Sequence, residues 1–367
     1  MIESVSGRSR VLLATIQGPS SPGPRYRVLQ YVPSFEAAGI DCTVWSLQSE
    51  ASTARSLRSA NSRPSSRLLH RAITWLQAGL FAVRVARAVE RFDRVLLYRI
   101  PVPSWAVPAL RTWRERILCD FDDALDAVET GANDVLGGVR ERILRRGLLN
   151  AIAVSRIAIT SNQRNADLVQ AAGGTAAIVP TSIDTARVTF RDRRALGSAV
   201  PVVGWMGTPS TAPYLRLIET PLADLRASRQ VVVRLVGAGA NPFARLDTEL
   251  RPWHYATEVE DLHAFDVGVM PMPDTRWTRG KAALKALQYG ASGAPTVASW
   301  TPTNAEILGE DAGTILCRSE GEWTKALDEL VGSDDVRSER GRRGRELVER
   351  CYSVAVNSSR LIALLRE

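Results

Sequence analysis

The sequence predicts an α/β protein built from two doubly wound parallel sheets. Short apolar segments alternate with segments of helical periodicity along most of the 367 residues, as expected when helices cover both faces of a parallel sheet. The same alternation begins again after a polar segment at residues 180–201. A chain of this length has room for two domains of ordinary size. We therefore expect two Rossmann-like domains that face each other across a cleft, with ligands at the carboxyl ends of their strands.

Residues 1–190 are predicted to form the first domain. A glycine- and proline-rich loop at residues 18–27 follows the first strand, and the next helix is expected to stop at Gly39. Ser161 is expected to cap a later helix. The polar residues 49–66 are predicted to be a mobile loop. Strands are predicted at residues 10–16, 41–47, 94–98, 116–121, the end of 151–160, and 176–180, and helices at 28–38 and 68–90.

Residues 191–345 are predicted to form the second domain, and residues 346–367 a C-terminal helix that packs back toward the first. A loop at residues 206–213 and a glycine turn at 237–239 each follow a strand. Strands are predicted at residues 202–205, 231–236, 266–270 and 295–299, and helices at 214–226, 323–331, 338–350 and 352–365.

A basic loop before a helix is the strongest local signal of a ligand. Arg279, Gly280 and Lys281 stand at the predicted start of a helix that ends at Gly293. Free N–H groups and the positive end of the helix dipole favour anions there, and the two cations add to this. Two of the three lysines in the chain, Lys281 and Lys285, fall in this segment. The alternative is an ordinary βαβ unit whose loop happens to be basic.

The net charge of +8 lies entirely in the first half. Residues 1–190 hold 24 arginines, no lysine and 16 acidic residues, whereas residues 191–367 hold 23 of each charge. Five arginines and no acid lie in residues 51–71, which favours an anionic partner such as a membrane surface, or else a solvated face. The sequence has no zinc-finger, RRM or helix-turn-helix signature, so no nucleic-acid partner is predicted.

Cysteine and histidine usage indicates a cytoplasmic protein without a metal site. The four cysteines lie far apart and show no metal-ligand spacing, so reduced, buried thiols are expected. Three scattered histidines are too few for a zinc site, and His263 is predicted to be structural. No signal segment opens the sequence, and no apolar run reaches the roughly 18 residues that span a bilayer.

Several segments together resemble glycosyltransferase family four, the retaining enzymes of the GT-B fold. They are residues 204–211, 235–239, 265–274, 280–295, Asn304 with Glu306, and the final helix, and residues 25–27 and 120–123 resemble one subgroup. The resemblance implies sugar transfer from a nucleoside diphosphate sugar with retention of configuration. It also implies donor binding by the second domain and acceptor binding by the first. No cofactor or metal is normally needed in this fold, and the nucleotide sugar is a co-substrate.

The resemblance predicts a donor site in the second domain. Lys281 and Arg279 are predicted to stabilise the leaving diphosphate, because fixed cations aimed at developing charge lower the barrier. Trp253 is expected to flank the base of the nucleotide, and the alternative is that it is a core aromatic residue. Gln288 and Asn304 are expected to bind hydroxyls of the sugar or ribose, and the alternative is that they are buried structural amides. The predicted donor-binding residues are Gly207, Thr208, Ser210, Thr211, Gly237, Trp253, Gly280, Gln288, Asn304 and Glu306.

In the first domain, Arg25 and Arg27 are predicted to contact the diphosphate or an anionic acceptor, since guanidinium groups suit such ligands. Asp120, Asp122 and Asp123 follow or end a strand, and Asp122 is predicted to orient or deprotonate the acceptor hydroxyl. Helix capping by Asp122 or Asp123 is the alternative. The sequence Asp120-Phe121-Asp122 also matches the DxD metal motif of the other glycosyltransferase fold. That fold has a single domain, and the two similar halves of this chain argue against it.

One departure from the family pattern bears on the reaction. The two glutamates usual in this loop and helix fall on Gly280 and Gln288, and the Arg and Lys usual after the first strand are missing from residues 207–211. Arg279 and Lys281 are predicted to take over the diphosphate charge. We predict a retaining, metal-independent hexosyltransferase acting on a hydroxyl acceptor. The alternatives are a GT-B relative that performs non-glycosidic coupling and a non-catalytic scaffold that binds nucleotide sugars.

The charge of the first half and its long helix favour an acceptor at the cytoplasmic face of a membrane, such as a lipid-linked or polysaccharide-linked glycan. In that case the protein would be cytoplasmic and peripheral to the membrane. A soluble natural product is the alternative acceptor.

Overall fold

A computed structural model describes residues 8–49, 64–127, 137–192, 200–309 and 313–367. The chain divides into two compact units, Met1–Thr181 with Asn357–Glu367, and Ser182–Val356. Most of the segment predicted to be a mobile loop, residues 50–63, lies outside the described residues.

The first unit contains a six-stranded parallel sheet in the order β2-β1-β3-β4-β5-β6. Every predicted strand of the first half is confirmed within a few residues, and β1, β3, β4 and β5 are short, mostly buried apolar runs. The strands are β1 Ser9–Thr15, β2 Ile40–Ser46, β3 Arg94–Tyr98, β4 Ile117–Phe121, β5 Ile157–Thr160 and β6 Ala176–Ile178. The helices are α1 Pro22–Arg27, α2 Val32–Ala37, α3 Pro64–Ala88, α4 Val107–Arg111, α5 Gly137–Ala153 and α6 Gln163–Ala171.

Two local predictions in the first unit are wrong. The glycine- and proline-rich loop contains α1, which begins with a proline in its first turn, a position where the missing N–H costs no hydrogen bond. Asn162, rather than Ser161, caps α6, accepting a hydrogen bond from the Asn165 N–H at 3.0 Å. Ser161 instead donates to the Asp122 carbonyl at 3.1 Å. The predicted stop at Gly39 is confirmed by its φ of 77°.

The second unit repeats the architecture with a parallel sheet in the order β12-β11-β10-β7-β8-β9. The sequence did not predict β9, β12, α8 or α10, which are only three to seven residues long and carry weak periodicity. The strands are β7 Val202–Met206, β8 Val232–Val236, β9 Glu249–Arg251, β10 Val267–Met270, β11 Thr296–Ser299 and β12 Thr314–Cys317. The helices are α7 Glu219–Ser228, α8 Glu258–His263, α9 Leu284–Ser292, α10 Pro302–Leu308, α11 Glu320–Gly332, α12 Asp334–Cys351 and α13 Val354–Arg366.

Helix boundaries in the second unit also differ from the prediction. The segment predicted as one helix at 214–226 begins as a 3-10 turn, Ala212–Ile218, and becomes α-helical only in α7. Gly293 ends α9 as predicted, with a φ of 82°. The last helix, α13, begins in the second unit and ends in the first.

Each unit has its own apolar core between sheet and helices. Leu12, Leu97 and Phe121 lie in the first core, and Trp205 and Leu235 lie in the second. All four cysteines are free thiols, but only Cys119 and Cys317 are buried. Among the described helices, none is long and apolar enough to cross a bilayer.

Candidate functional site

Two glycine-containing loops meet at the carboxyl end of the second sheet. Gly207 follows β7 and donates its N–H to the Val236 carbonyl at 3.0 Å, and Gly237 follows β8 with a φ of 79°. A Cβ built on Gly237 would lie 2.3 Å from the carbonyl oxygen of Gly207 and 3.1 Å from Cβ of Trp253. Glycine is therefore required at Gly237 by both conformation and space. This edge is where open α/β sheets bind ligands.

The loop after Gly207 carries small hydroxyl side chains. The Thr208 and Ser210 hydroxyls lie 2.9 Å apart, and the Thr211 hydroxyl donates to the Thr208 carbonyl at 3.3 Å. Thr208, Ser210 and Thr211, all predicted to bind the donor, therefore lie in one turn. This turn follows Gly207 and lies near Gly237, which are also predicted donor residues.

Helix α9 is anchored over the end of β7 by Tyr289. The backbone N–H of Met206 donates to the Tyr289 hydroxyl at 2.9 Å, and burial raises the pKa of that phenol. The Tyr289 ring packs edge-on against Phe265 at 5.9 Å. The lack of side chains at Gly204 and Gly268 makes room for these rings, since a Cβ at either would lie within 2.3 Å of a ring carbon.

Lys285 projects from α9 against the Gly207 loop. A Cβ built on Gly207 would lie 3.0 Å from Cε of Lys285 and 2.4 Å from Cζ2 of Trp205. The Lys285 ammonium lies 5.7 Å from the centroid of the Trp205 ring. Sequence reasoning did not include Lys285 among the site residues. Two sequence signals pointed to it: the rarity of lysine in this chain and its spacing of four residues from Tyr289, which puts both side chains on one helix face.

The predicted cations do not open the helix, which corrects the sequence-based expectation. Thr278–Gly280 is a separate 3-10 turn, Lys281 is extended, and α9 begins at Leu284. Ala283 separates the two, with a left-handed φ of 50° that is unusual for a residue other than glycine. The chain therefore bends between the basic residues and the helix start, so the dipole argument does not apply to them directly.

Both predicted cations have neighbours on their own loop. Arg279 forms a bidentate ion pair with Asp274 at 2.7 and 2.8 Å, and both side chains are largely exposed. The Lys281 ammonium lies 4.7 Å from the centroid of the Trp277 ring. The Gly280 backbone is buried, and the Arg279 carbonyl accepts a hydrogen bond from the Thr303 hydroxyl.

The remaining predicted donor residues lie on three elements of the second unit. Trp253 donates its indole N–H to the buried carboxylate of Glu258 at 3.2 Å, so its ring orientation is set by α8. Gln288 is buried in α9. Asn304, in α10, donates to the Ser299 carbonyl at 2.8 Å, and its Oδ1 accepts no hydrogen bond from the described residues. Glu306 is exposed.

In the first unit, Arg27 and Asp120 form a buried bidentate ion pair. Two guanidinium nitrogens lie 2.9–3.1 Å from the carboxylate oxygens, and Nη1 donates to the Val179 carbonyl at 2.7 Å. Both side chains are almost fully inaccessible to solvent. Burial raises the pKa of Asp120 to about 6, although Arg27 lowers it. This geometry fits a structural pair, and contact of either residue with a ligand stays a prediction.

Arg99 joins the other two aspartates, and sequence reasoning missed it. Its guanidinium lies 2.6 Å from both Asp122 and Asp123, and Asp122 also accepts from the Tyr98 hydroxyl at 2.8 Å. Burial lowers the pKa of Arg99, but the two carboxylates raise it well above its usual value. The φ of Arg99 is 51°, a second left-handed residue other than glycine. Neither Asp122 nor Asp123 caps a described helix.

The first unit also has a cavity next to this cluster. Its volume is about 250 Å³, and it lies at the carboxyl ends of β1, β3 and β4, under α5. Apolar side chains form most of its wall, and Gln17, Arg99 and Asp120 are its polar members. Arg25 lies on α1 and is buried. Its guanidinium lies 5.0 Å from the centroid of the Tyr26 ring.

Solved structures with the same architecture match nearly the full length of the chain. Sucrose-phosphate synthase from Thermosynechococcus elongatus matches with 13% identity over 98% of both chains and a TM-score of 0.71. Anabaena HepE in complex with UDP-glucose matches with 14% identity, 97% of this chain, 99% of that chain and a TM-score of 0.64. An alpha-glucosyltransferase in complex with UDP and a DNA 13-mer matches with 11% identity, 98% and 100% coverage, and a TM-score of 0.66.

The fold is GT-B. The predicted fold class is thereby confirmed by neighbours that are glycosyltransferases of that fold. No family model matches the chain, and no curated protein sequence matches it. Identities of 11–14% show the fold alone.

Proposed function

We propose that this protein is a retaining glycosyltransferase that moves a sugar from a nucleoside diphosphate sugar to a hydroxyl acceptor. The convergence of Gly207, Gly237 and α9 at the carboxyl edge of the second sheet carries the proposal, in a chain with the GT-B fold. A UDP-sugar is the first donor to test, since two of the structural neighbours contain UDP or UDP-glucose. The donor site would include the Thr208–Thr211 turn and Trp253 beside the base.

The residues present fit metal-independent chemistry at the leaving group. Negative charge develops on the diphosphate as the glycosyl–phosphate bond breaks, and fixed cations aimed at it lower the barrier. Lys281 would supply such a charge from its extended loop. Arg279 would do so by exchanging Asp274 for the diphosphate.

The acceptor would bind in the first unit, beside Asp122. The cavity there has mainly apolar walls, which suit an acceptor that presents a hydroxyl together with an apolar group. Asp122 would orient that hydroxyl as a hydrogen-bond acceptor, with Tyr98 and Arg99 fixing its carboxylate. Contact of Arg25 or Asp123 with the acceptor is a further part of this proposal.

Thermal unfolding with nucleotide ligands tests the donor site. We expect a UDP-sugar or UDP to raise the melting temperature without added metal, because a ligand at 100 times its Kd stabilises the folded state by about 2.7 kcal/mol. GDP-, dTDP- and ADP-sugars serve as the comparison set. If no nucleotide raises the melting temperature, the donor site is wrong and a scaffold without nucleotide binding is favoured.

Replacing Lys281 tests the proposed leaving-group role. We expect Lys281→Ala to lower kcat by about 10²–10³-fold, the range seen when one preorganised charge-stabilising donor is removed. Lys325→Ala, on the exposed side of α11, is the matched control and should leave kcat unchanged. Release of UDP and formation of a glycoside should be measured together, since UDP release without a glycoside would indicate other chemistry. Wild-type turnover in Lys281→Ala would remove this residue from the mechanism.

An anionic membrane surface is proposed as the place where the acceptor is met. Three large apolar side chains, Ile73, Leu76 and Leu80, are 45–57% exposed along one face of α3, and Trp105, packed against Gly79, is 52% exposed beside them. Arg84 and Arg87 continue that exposed face. Apolar and basic groups together suit the boundary of an anionic bilayer. A cytoplasmic, peripheral location follows from this proposal.

Vesicle binding tests the membrane surface. We expect sedimentation with vesicles containing phosphatidylglycerol, weaker binding to phosphatidylcholine alone, and a loss of about 10-fold or more in Leu76→Ser/Leu80→Ser, because two buried apolar contacts disappear. The matched control is Leu217→Ser/Leu250→Ser, which removes two leucines of 45% exposure from the second unit. Equal binding by both double variants would contradict the assignment of this face.

A further inference from the structure

We propose that Lys285 is a binding residue for the donor diphosphate and reaches it from α9 rather than from the loop after β7. The inference rests on the proposed function, because it assigns a residue to the same donor site. The loop at residues 207–211 contains no Lys or Arg, so a positive charge beside it has to come from another element.

The position of Lys285 is set by the anchoring of its helix. Tyr289 accepts a hydrogen bond from the Met206 N–H at 2.9 Å and is fully buried against Phe265. Lys285 lies one turn before Tyr289, so both side chains point to the same side of α9. Tyr289 lies over the last residue of β7, and Lys285 consequently lies over the loop that follows it.

The contacts of Lys285 confirm this placement. Its Cε lies 3.0 Å from the position of a Cβ on Gly207, and its ammonium lies within cation–π range of Trp205. Trp205 is buried, so the ring that the ammonium faces has a fixed position. Lys285 is only partly buried. Gly207 thus leaves space that the lysine side chain uses.

The predicted cations differ from Lys285 in their surroundings. Arg279 is held by Asp274, and Lys281 lies over Trp277, so both interact with residues of their own loop. Lys285 instead bridges α9 and the β7 loop. A compact ammonium on a long stem suits a site where a point charge is needed beside a closely approaching backbone.

In the proposed transfer, the bond between the anomeric carbon and the phosphate oxygen breaks, and its electron pair stays on the diphosphate. The acceptor oxygen forms the new bond to the same carbon, and its proton leaves to a phosphate oxygen or to solvent. The products are a glycoside, UDP and a proton. Lys285 would bind the diphosphate before and after this step, so its removal should weaken binding of UDP itself.

Comparing UDP with uridine isolates the diphosphate contribution. We expect Lys285→Met, which keeps most of the aliphatic packing, to weaken UDP binding about 10- to 100-fold in isothermal titration calorimetry. One charge-assisted hydrogen bond is of this size. Uridine binding, which lacks the diphosphate, should stay within about 2-fold of wild type. Lys285→Arg should restore part of the UDP affinity, and Lys325→Ala should bind UDP as wild type does.

The outcomes separate this inference from the proposed function. If wild-type protein binds UDP and Lys285→Met binds it equally well, the assignment of Lys285 is overturned while the donor site stands. If Lys285→Met loses UDP and uridine alike, the residue shapes the loop and does not bind the diphosphate. If wild-type protein binds neither UDP nor a UDP-sugar, the proposed UDP-sugar function fails before the variant is considered. Thermal unfolding of each variant verifies that it is folded.

Discussion

Arg27→Met is expected to lower the free energy of unfolding by about 3–5 kcal/mol at pH 8, the cost of leaving one member of a buried ion pair without its partner. The substitution removes the guanidinium that makes three hydrogen bonds to Asp120 and one to the Val179 carbonyl. The remaining carboxylate would be buried beside Asp122, which raises its pKa, and would keep only the weaker influence of Arg99. Urea unfolding followed by circular dichroism measures the loss.

The loss in Arg27→Met should become smaller as the pH falls to about 5. Burial already raises the pKa of Asp120 to about 6 in the presence of Arg27, and removal of this cation raises it further. A carboxyl whose folded pKa exceeds its unfolded pKa favours folding at low pH, and that contribution is lost as the pH rises through the folded pKa. At pH 5 Asp120 is therefore protonated in Arg27→Met, no unpaired charge is buried, and the loss of stability is smaller than at pH 8.

A double substitution provides the control for the ion pair. Arg27→Met/Asp120→Leu removes both charges, and we expect it to recover most of the stability lost in Arg27→Met. Equal losses at pH 5 and pH 8 would indicate that Arg27 acts through packing alone. Normal stability of Arg27→Met would contradict the structural pairing and favour the predicted role in ligand binding.

Gly237→Ala is expected to weaken UDP binding by more than about 10-fold and to destabilise the second unit by about 1–3 kcal/mol. The added Cβ would meet the Gly207 carbonyl oxygen at 2.3 Å, in a backbone with a φ of 79°. The Gly237 backbone is held in place, because its N–H donates to the Arg251 carbonyl at 2.8 Å. The clash must shift the Gly207 loop, and with it the Thr208–Thr211 turn.

Gly39→Ala separates the strain of the left-handed backbone from the clash. Gly39 has a φ of 77°, almost that of Gly237, but a Cβ there would meet no atom within 4 Å. We expect Gly39→Ala to lose less stability than Gly237→Ala, because only backbone strain acts there, and to bind UDP normally. Calorimetric binding and thermal unfolding on both variants make the comparison. Normal UDP affinity in Gly237→Ala would show that the loop after β8 does not shape the donor site.

Much of the fold could be predicted from the sequence because its signals are local. Buried parallel strands appear as short apolar runs, which is why Arg94–Tyr98 has the predicted ends and Val267–Met270 begins one residue after its predicted start. Gly39 and Gly293 mark helix ends because a left-handed residue is needed there. The α1 helix was missed because the proline and glycine content of its segment suggested a loop, although proline fits the first turn of a helix.

The sequence alone determined the fold class, the glycine positions at the strand ends and the segments that carry charge. Only the tertiary structure decided which of those charges meet. Arg27 and Asp120 are 93 residues apart and pair because α1 packs across the end of β4. Lys285 reaches Gly207 because Tyr289 anchors α9 over β7. Such contacts depend on how separate elements pack and on single side-chain directions, and neither leaves a periodic pattern in the chain.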